Sequence, residues 1–275
     1  LTTHDMNRLK YKTHIIFKIL FFMSFFIMCN GNTTNASKIT LLFSELKEFN
    51  SDLIFIDIQE EIHSAFIKSI KLNDHSFLLD IKNDFTKKNW EGESNITKYW
   101  SSYLQFYLSL YYFKIGDNEN SEIEINVGIK LLQTLKDKNS EDYALLSLLQ
   151  GFSIQFKAGK AIVIIGNIKR NCRQAIAIDS TNVRAYYAYA SNDYHMPEKF
   201  GGGKETEKYL LKAISISSKN KKSGNFPSWG KEESYELLIK WYIKKEMNEK
   251  AKEYYIIAKN KYSKSYRINQ LANLF

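Results

Sequence analysis

The chain contains very little proline, with only Pro197 and Pro227 among its 275 residues. Proline lacks a backbone donor and interrupts helices, so a chain nearly free of it favours long, unbroken helices. Hydrophobic residues make up 44% of the sequence and aromatic residues 15%, which supports a sizeable core and argues against wholesale disorder. The sequence therefore predicts an all-α protein.

Cysteine is equally scarce, with Cys29 and Cys172 the two examples. If Cys29 belongs to a targeting segment, Cys172 stands alone and no disulfide framework exists. We therefore interpret Cys172 as a small, buried, apolar residue on a helix.

Arginine is rare too, because only 5 of the 39 basic residues are Arg and the net charge of +9 is carried by Lys. Recognition of bases and phosphates relies on the bidentate guanidinium fork. The basic and aromatic platform typical of nucleic-acid binding is not evident, so we expect no nucleic-acid partner. The excess of Lys over Glu in residues 198–267 is suited to an acidic partner or to an anionic membrane surface.

The first 36 residues have the composition of a secretory signal peptide. From Met6, the expected start, a basic segment precedes an apolar stretch over residues 19–28, and small polar residues follow as far as Ala36. That stretch is too short to span a bilayer, which needs about 20 residues. We expect export to the periplasm in one of three forms: cleaved after Ala36, acylated at Cys29 as a lipoprotein, or held by an uncleaved anchor. Met28 disfavours acylation, because the position before a lipoprotein cysteine is normally small.

Apolar residues recur at helical spacing throughout the remainder of the chain. We predict N-terminal helices within residues 37–93 and one continuous domain of helical repeats over residues 94–275. The stretch 161–168 is rich in β-branched residues, but its length and its helical surroundings favour a buried helix segment over a strand. The predicted helices cover residues 53–72, 76–87, 94–115, 122–135, 141–157 and 160–178, two more begin near Thr181 and Lys204, and a last pair spans 229–262.

The last fifth of the chain carries the register of a tetratricopeptide repeat (TPR). One predicted helix carries the large residues Tyr235, Leu238 and Tyr242. The next carries the small–aromatic–small set Ala251, Tyr255 and Ala258. This pattern predicts a TPR-like α-solenoid of antiparallel helix pairs, in which each pair packs on its neighbours. Such scaffolds bind partners and seldom catalyse, so we expect no enzyme and no cofactor; the alternative is a hydrolase whose site the sequence does not reveal.

Three segments resemble motifs of a group of small exported bacterial TPR-like proteins. In chain order the motifs are N-x-R-A-x-Y at residues 182–187, P-x-x-F-G-G at 197–202 and P-x-W-G at 227–230. The resemblance covers about residues 140–265 and implies a helical-repeat fold and export, with little assigned activity. The group is more distantly similar to the TPR component of some periplasmic substrate-binding transport systems. Ser180 and Ser263 replace the proline that ends a repeat, and Glu246 replaces the usual turn glycine.

The fourth helix pair supplies the predicted partner-binding residues, namely Arg184, Tyr187, Ser191, Tyr194 and His195 on its first helix and Phe200 in the following turn. In a TPR stack the first helices line a concave groove, and an Arg among Tyr hydroxyls is suited to a carboxylate or peptide terminus. The turn over residues 196–203 is also longer than a repeat requires. We expect a protein or peptide partner in the concave face. Two alternatives remain: the tyrosines are core residues, or an aromatic pocket between helices binds a small ligand in a transport-accessory protein.

Two further patterns favour a structural interpretation. The glycines at 201–203 lack the preceding strand and the Lys-Ser/Thr pair of a phosphate-binding loop, so we interpret them as a tight turn with positive φ. Glu60, Glu61 and His63 lack the second histidine of a helical zinc motif, so we interpret them as a solvated helix face and expect no metal.

Overall fold

The computed structural model describes residues 58–87, 94–217 and 226–275, all within one compact unit, Leu53–Phe275. All regular structure in these ranges is helical, which confirms the all-α prediction. The predictions made for the first 57 residues, including the signal peptide and acylation of Cys29, lie outside the described residues.

Eleven α-helices are present in the described ranges, supplemented by short 3-10 turns. The helices are α1 (Ile58–Leu72), α2 (Ser76–Lys87), α3 (Asn95–Lys114), α4 (Asn118–Gln133), α5 (Ser140–Ser153), α6 (Ala161–Ile178), α7 (Val183–His195), α8 (Thr206–Ser215), α9 (Lys231–Lys244), α10 (Asn248–Lys261) and α11 (Tyr266–Gln270). The 3-10 turns are Ile154–Phe156, Ala158–Lys160, Glu198–Phe200 and Leu271–Leu274.

The helices pack as successive pairs, from α1 with α2 to α9 with α10. The first helices of neighbouring pairs also contact each other, in the order α1, α3, α5, α7 and α9. These first helices therefore line one side of the stack, which we call the inner face. This arrangement is an all-α solenoid of adjacent helix pairs, as predicted.

Small residues allow the paired helices to approach closely. Ser109 of α3 and Ser121 of α4 each donate a hydrogen bond to the other's backbone carbonyl, at 2.7 and 2.8 Å. Gly128 of α4 lies so near α3 and α5 that a Cβ there would come within 2.9 Å of Leu149. Gly151 of α5 has the same role, because the Asn192 amide fills the space where its Cβ would lie.

Trp229 joins the last pair to the start of the stack. Its indole N–H donates to Tyr99 Oη at 2.8 Å, its ring stacks on Tyr103 of α3, and its edge meets Tyr187 of α7. Gln59 of α1 accepts hydrogen bonds from the backbone N–H groups of Ser228 and Trp229 at 2.8 and 3.1 Å. The segment before α9 therefore lies across one end of the inner face.

Helix α6 is correctly predicted, but the expected burial of its first turn is wrong. Ile162 and Val163 are 80% and 68% exposed. The cause is a length mismatch: Asn171 pairs with Gln150, so the end of α5 at Ser153 lies opposite the middle of α6. The first two turns of α6 therefore project beyond α5.

Cys172 lies on the buried side of α6, as predicted. Its thiol lies 3.3 Å from Ser147 Oγ, and burial raises the pKa of the thiol to about 12. The thiol therefore stays protonated and serves as a packing group.

The final repeat provides a test of packing. Ala251 and Ala258 are fully buried. We expect Ala251→Leu and Ala258→Leu each to lower the free energy of unfolding by about 1–3 kcal/mol, because the added carbons overpack the interface with α9. Denaturant unfolding measures this. Glu253→Leu, at an exposed position on the same helix, is the control, and equal stability of all three variants would contradict the packing described.

Candidate functional site

Arg184, at the start of α7, is bound within the chain. Its guanidinium meets the Glu141 carboxylate of α5 through Nε and Nη2, the latter at 2.7 Å from Oε1, and Nη1 donates to the Trp229 carbonyl at 3.3 Å. Asn182 caps α7 by accepting from the Arg184 N–H. The charge that the sequence suggests for a partner is thus balanced by Glu141, and Arg184 joins α5, α7 and the Trp229 segment.

Tyr187 and Ser191 face the interior of the stack. The Tyr187 ring packs against buried residues of both large apolar clusters and lies edge-on to Trp229, with the ring centroids 6.0 Å apart. Burial raises the pKa of its phenol well above the ordinary value. Ser191 is buried one turn further along α7. These contacts favour the alternative in which Tyr187 is part of the core.

Tyr194, His195 and Phe200 are more accessible. Tyr194 is half-buried and His195 and Phe200 are exposed. The His195 Nδ1–H donates to the Ser191 carbonyl at 2.8 Å, which orients the ring. The Lys244 ammonium of α9 lies 5.1 Å from the centroid of the Tyr194 ring, within the range of a cation–π contact.

The turn over residues 196–203 is a fixed piece of structure. Gly201 and Gly203 have φ angles of +86° and +77°, and a Cβ on Gly202 would collide with the Met196 carbonyl. These values support the interpretation of the three glycines as a tight turn. Asp193 holds the far end, because Oδ2 accepts from the Glu205 N–H at 2.9 Å and from the Thr206 hydroxyl at 2.7 Å, at the start of α8.

A small cleft lies between this turn and the end of α9. We call it the turn cleft, and its lining residues are Tyr194, Met196, Glu198, Gly202, Gly203, Trp241, Lys244 and Lys245. The Trp241 indole N–H is buried and has no acceptor in the described part of the chain. A buried donor left unpaired costs about 1–3 kcal/mol.

A second polar cluster lies deeper on the inner face, and the sequence interpretation of His63 as part of a solvated face is wrong. Glu60 and Glu61 are exposed, but His63 is half-buried. Its Nε2 lies 2.7 Å from both Tyr103 Oη and Tyr107 Oη of α3. Burial lowers the pKa of His63 to about 4, Arg267 acts in the same direction, and Glu233 opposes it.

Arg267 of α11 completes this cluster, which we call the inner cluster. Its guanidinium lies 2.8 Å from Glu236 Oε2 and 3.6 Å from Glu233 Oε1, both on α9. Its side chain keeps 32% of its surface exposed. The positive charge of Arg267 therefore remains accessible to solvent, although Tyr107, Glu233 and Glu236 compensate it.

The six residues predicted for partner binding thus fall into two groups. Arg184, Tyr187 and Ser191 are engaged inside the stack, whereas Tyr194, His195 and Phe200 lie on or beside the accessible turn. Sequence reasoning missed Trp241, Lys244 and Lys245. The helical register places the ends of α7 and α9 side by side, next to the long turn. That placement could have identified these three residues from the sequence.

Comparisons of the chain with protein-family models, with curated proteins and with solved structures give no match. Within the described ranges, no three His, Cys, Asp or Glu side chains are grouped so that they could hold a metal ion. No helix in those ranges combines the length and the apolar character needed to cross a membrane.

The ion pair between Arg184 and Glu141 is testable by a double-mutant cycle. We expect Arg184→Met and Glu141→Gln each to reduce the free energy of unfolding by about 1.5–3 kcal/mol, because each leaves a partly buried charge without its bidentate partner. The double variant should lose less than the sum of the two. Urea unfolding of the four proteins measures the coupling, and strict additivity would show that the pair contributes nothing.

His63 predicts a pH-dependent stability. Its pKa in the folded protein, about 4, is below the ordinary 6.5, so protonation favours the unfolded chain. The stability that neutral His63 contributes is complete above pH 6.5 and is lost as the pH falls towards 4. Asp142, whose pKa burial raises to about 6, changes stability in the opposite sense over this range, so the difference between two proteins is the useful measurement.

We therefore expect the melting temperature of the parent to decrease more steeply from pH 6.5 to 4 than that of His63→Gln, which keeps a polar partner for the tyrosines. Parallel pH profiles for the two proteins would contradict the burial of a neutral His63.

Proposed function

We propose that this protein is an exported TPR-like scaffold that binds an acidic peptide segment of a partner protein at the turn cleft. The observation that carries the proposal is the combination of an over-long turn, whose Phe200 is exposed, with a cleft beside it in which Lys244 and Lys245 lie near Tyr194. The acid of this cleft, Glu198, is exposed and lies 3.4 Å from Lys245 Nζ. An aromatic surface edged by ammonium groups attracts Asp and Glu side chains and packs against apolar ones between them.

The rigidity of the turn supports the binding of a peptide at the turn cleft. Asp193 fixes the turn, because its carboxylate accepts from Glu205 and Thr206 and its carbonyl accepts from the Gly203 N–H, so a ligand does not have to order the turn. Pre-organised surfaces bind more tightly because less conformational entropy is lost on association.

The test is selection of peptides from a display library on the immobilised full chain, followed by fluorescence anisotropy with the selected peptides. We expect enrichment of Asp and Glu, and binding that weakens as salt is added. Replacing each Glu by Gln in a selected peptide should weaken binding, whereas enrichment of neutral or basic peptides would refute the proposal.

Reversing the charge of Lys244 and Lys245 tests whether the peptide binds at the turn cleft. We expect Lys244→Glu with Lys245→Glu to weaken binding at least about tenfold, equivalent to 1.4 kcal/mol. The matched control is Lys252→Glu with Lys264→Glu, which changes net charge equally at exposed positions away from the turn. Equal losses in both double variants would mean that the peptides respond only to overall charge.

A second pair of variants tests the aromatic part of the surface. Phe200 and Phe275 are each 51% exposed. We expect Phe200→Ser to weaken peptide binding several-fold and Phe275→Ser to leave it unchanged, because only Phe200 belongs to the turn. The opposite ranking would place the site near the C-terminus.

The inner cluster supports a second candidate, a small polar ligand bound between the helices in a transport-accessory protein. The specific observation in its favour is the accessible Arg267 guanidinium beside Tyr107 and Glu233. If this candidate is correct, Arg267→Met abolishes ligand binding while the variants at Lys244 and Lys245 retain it.

We also propose that the first 36 residues direct export to the periplasm. Their basic, apolar and small-polar order supports this. Mass spectrometry of the protein recovered from the periplasm distinguishes the three forms: a chain beginning at Ser37, a chain acylated at Cys29, or a chain that keeps the whole segment. Recovery from the cytoplasm alone would refute export.

A further inference from the structure

The outer side of α6 has a composition unlike that of a solvated helix face. One strip of this side comprises the exposed residues Ile162, Val163, Gly166, Lys169, Arg170 and Arg173; Gln174, Ala177 and Ile178, nearer the end of the helix, are exposed as well. At 100° per residue the six residues of the strip fall within about one third of the helix circumference, and all exposed positions together span about half of it. The opposite side, with Ile168 and Cys172, is buried. We call the exposed strip the α6 surface; it has a basic half and an aliphatic end.

We propose that the α6 surface docks the protein on an anionic lipid membrane. Ile162 and Val163 enter the headgroup region, and the basic side chains contact lipid phosphates. Exposed aliphatic residues next to Lys and Arg, on a helix that lies in the interface, are the features that give reversible membrane binding.

The position of the aliphatic residues supports insertion. The first two turns of α6 project beyond the end of α5, so Ile162 and Val163 protrude from the stack. The side chain of Lys157, just before α6, binds Asn126 of α4, which holds the connection to α6 against the neighbouring pair. A protruding apolar pair on a supported turn reaches a flat lipid surface without rearrangement.

The positive charge of the α6 surface favours an anionic membrane as its binding partner. Residues 143–178 contain no Asp or Glu and five basic residues, namely Lys157, Lys160, Lys169, Arg170 and Arg173. An anionic membrane complements this charge, and long basic side chains keep their ammonium or guanidinium groups at the phosphates while their stems cover apolar atoms. A second copy of the chain would bring an equally basic surface into contact, which disfavours self-association here.

The deciding experiment uses the full chain with Ile162→Trp and vesicles of phosphatidylcholine and phosphatidylglycerol that carry brominated acyl chains. We expect the emission of the new indole to shift to shorter wavelength and to be quenched by the bromine atoms. The parent protein supplies the background of the four native Trp residues. Ile256→Trp, at an exposed position on α10, is the matched control and should not be quenched.

The measurement reports the depth of residue 162 whatever else holds the chain to the vesicle, including its own N-terminal apolar stretch. Unquenched emission on anionic vesicles would overturn the proposal. An emission already shifted without lipid would also overturn it: a doubled mass by light scattering would then identify a second copy as the occupant, and an unchanged mass a segment of the same chain.

The basic half is tested separately by the fraction of protein bound to vesicles. We expect Lys169→Gln with Arg170→Gln to lower partitioning about 25-fold, because each basic residue near an anionic surface contributes about fivefold. Lys252→Gln with Lys264→Gln removes the same charge elsewhere and should have a smaller effect. Equal effects would overturn the assignment to α6, as would quenching of equal size on vesicles of phosphatidylcholine alone.

Discussion

The placement of Trp229 is the constraint on which the rest of the inner face depends. A single indole meets Tyr99 and Tyr103 of the second pair and Tyr187 of the fourth, while the backbone beside it is held by Gln59 of the first. An open solenoid has no such contact, because each repeat touches only its neighbours. Here one residue sets the distance between helices that are far apart in the chain.

The contacts of Trp229 divide the inner face into two environments. At the Trp229 end, Arg184 is fixed by Glu141 and the tyrosines are packed as core. At the other end, the first helices finish, and the long turn and the last residues of α9 form an accessible cleft. A peptide therefore has access to one end of the face, whereas a ligand for the inner cluster has to reach Arg267 between the helices.

The periodicity of apolar residues was sufficient to predict the helices and the pairing, because both depend on neighbours within one repeat. The burial of Ala251 and Ala258 followed from the same local register. The partner of Arg184 was not predictable, since Glu141 lies 43 residues away and only the packing of α5 on α7 brings them together. For His63 the cause is similar, because Tyr103 and Tyr107 belong to another helix pair. The exposure of Ile162 required the relative lengths of α5 and α6, which composition does not specify.

The hydrogen bond between Gln59 and Trp229 joins residues 170 positions apart. An open repeat array folds by nucleating anywhere and spreading from pair to pair. Helix α1 finds its full set of contacts only after residues 228 and 229 have been synthesised. A large loop must then close, and long-range closure slows folding. The contact thus couples α1 to a segment made much later and turns a row of semi-independent repeats into a cooperative whole.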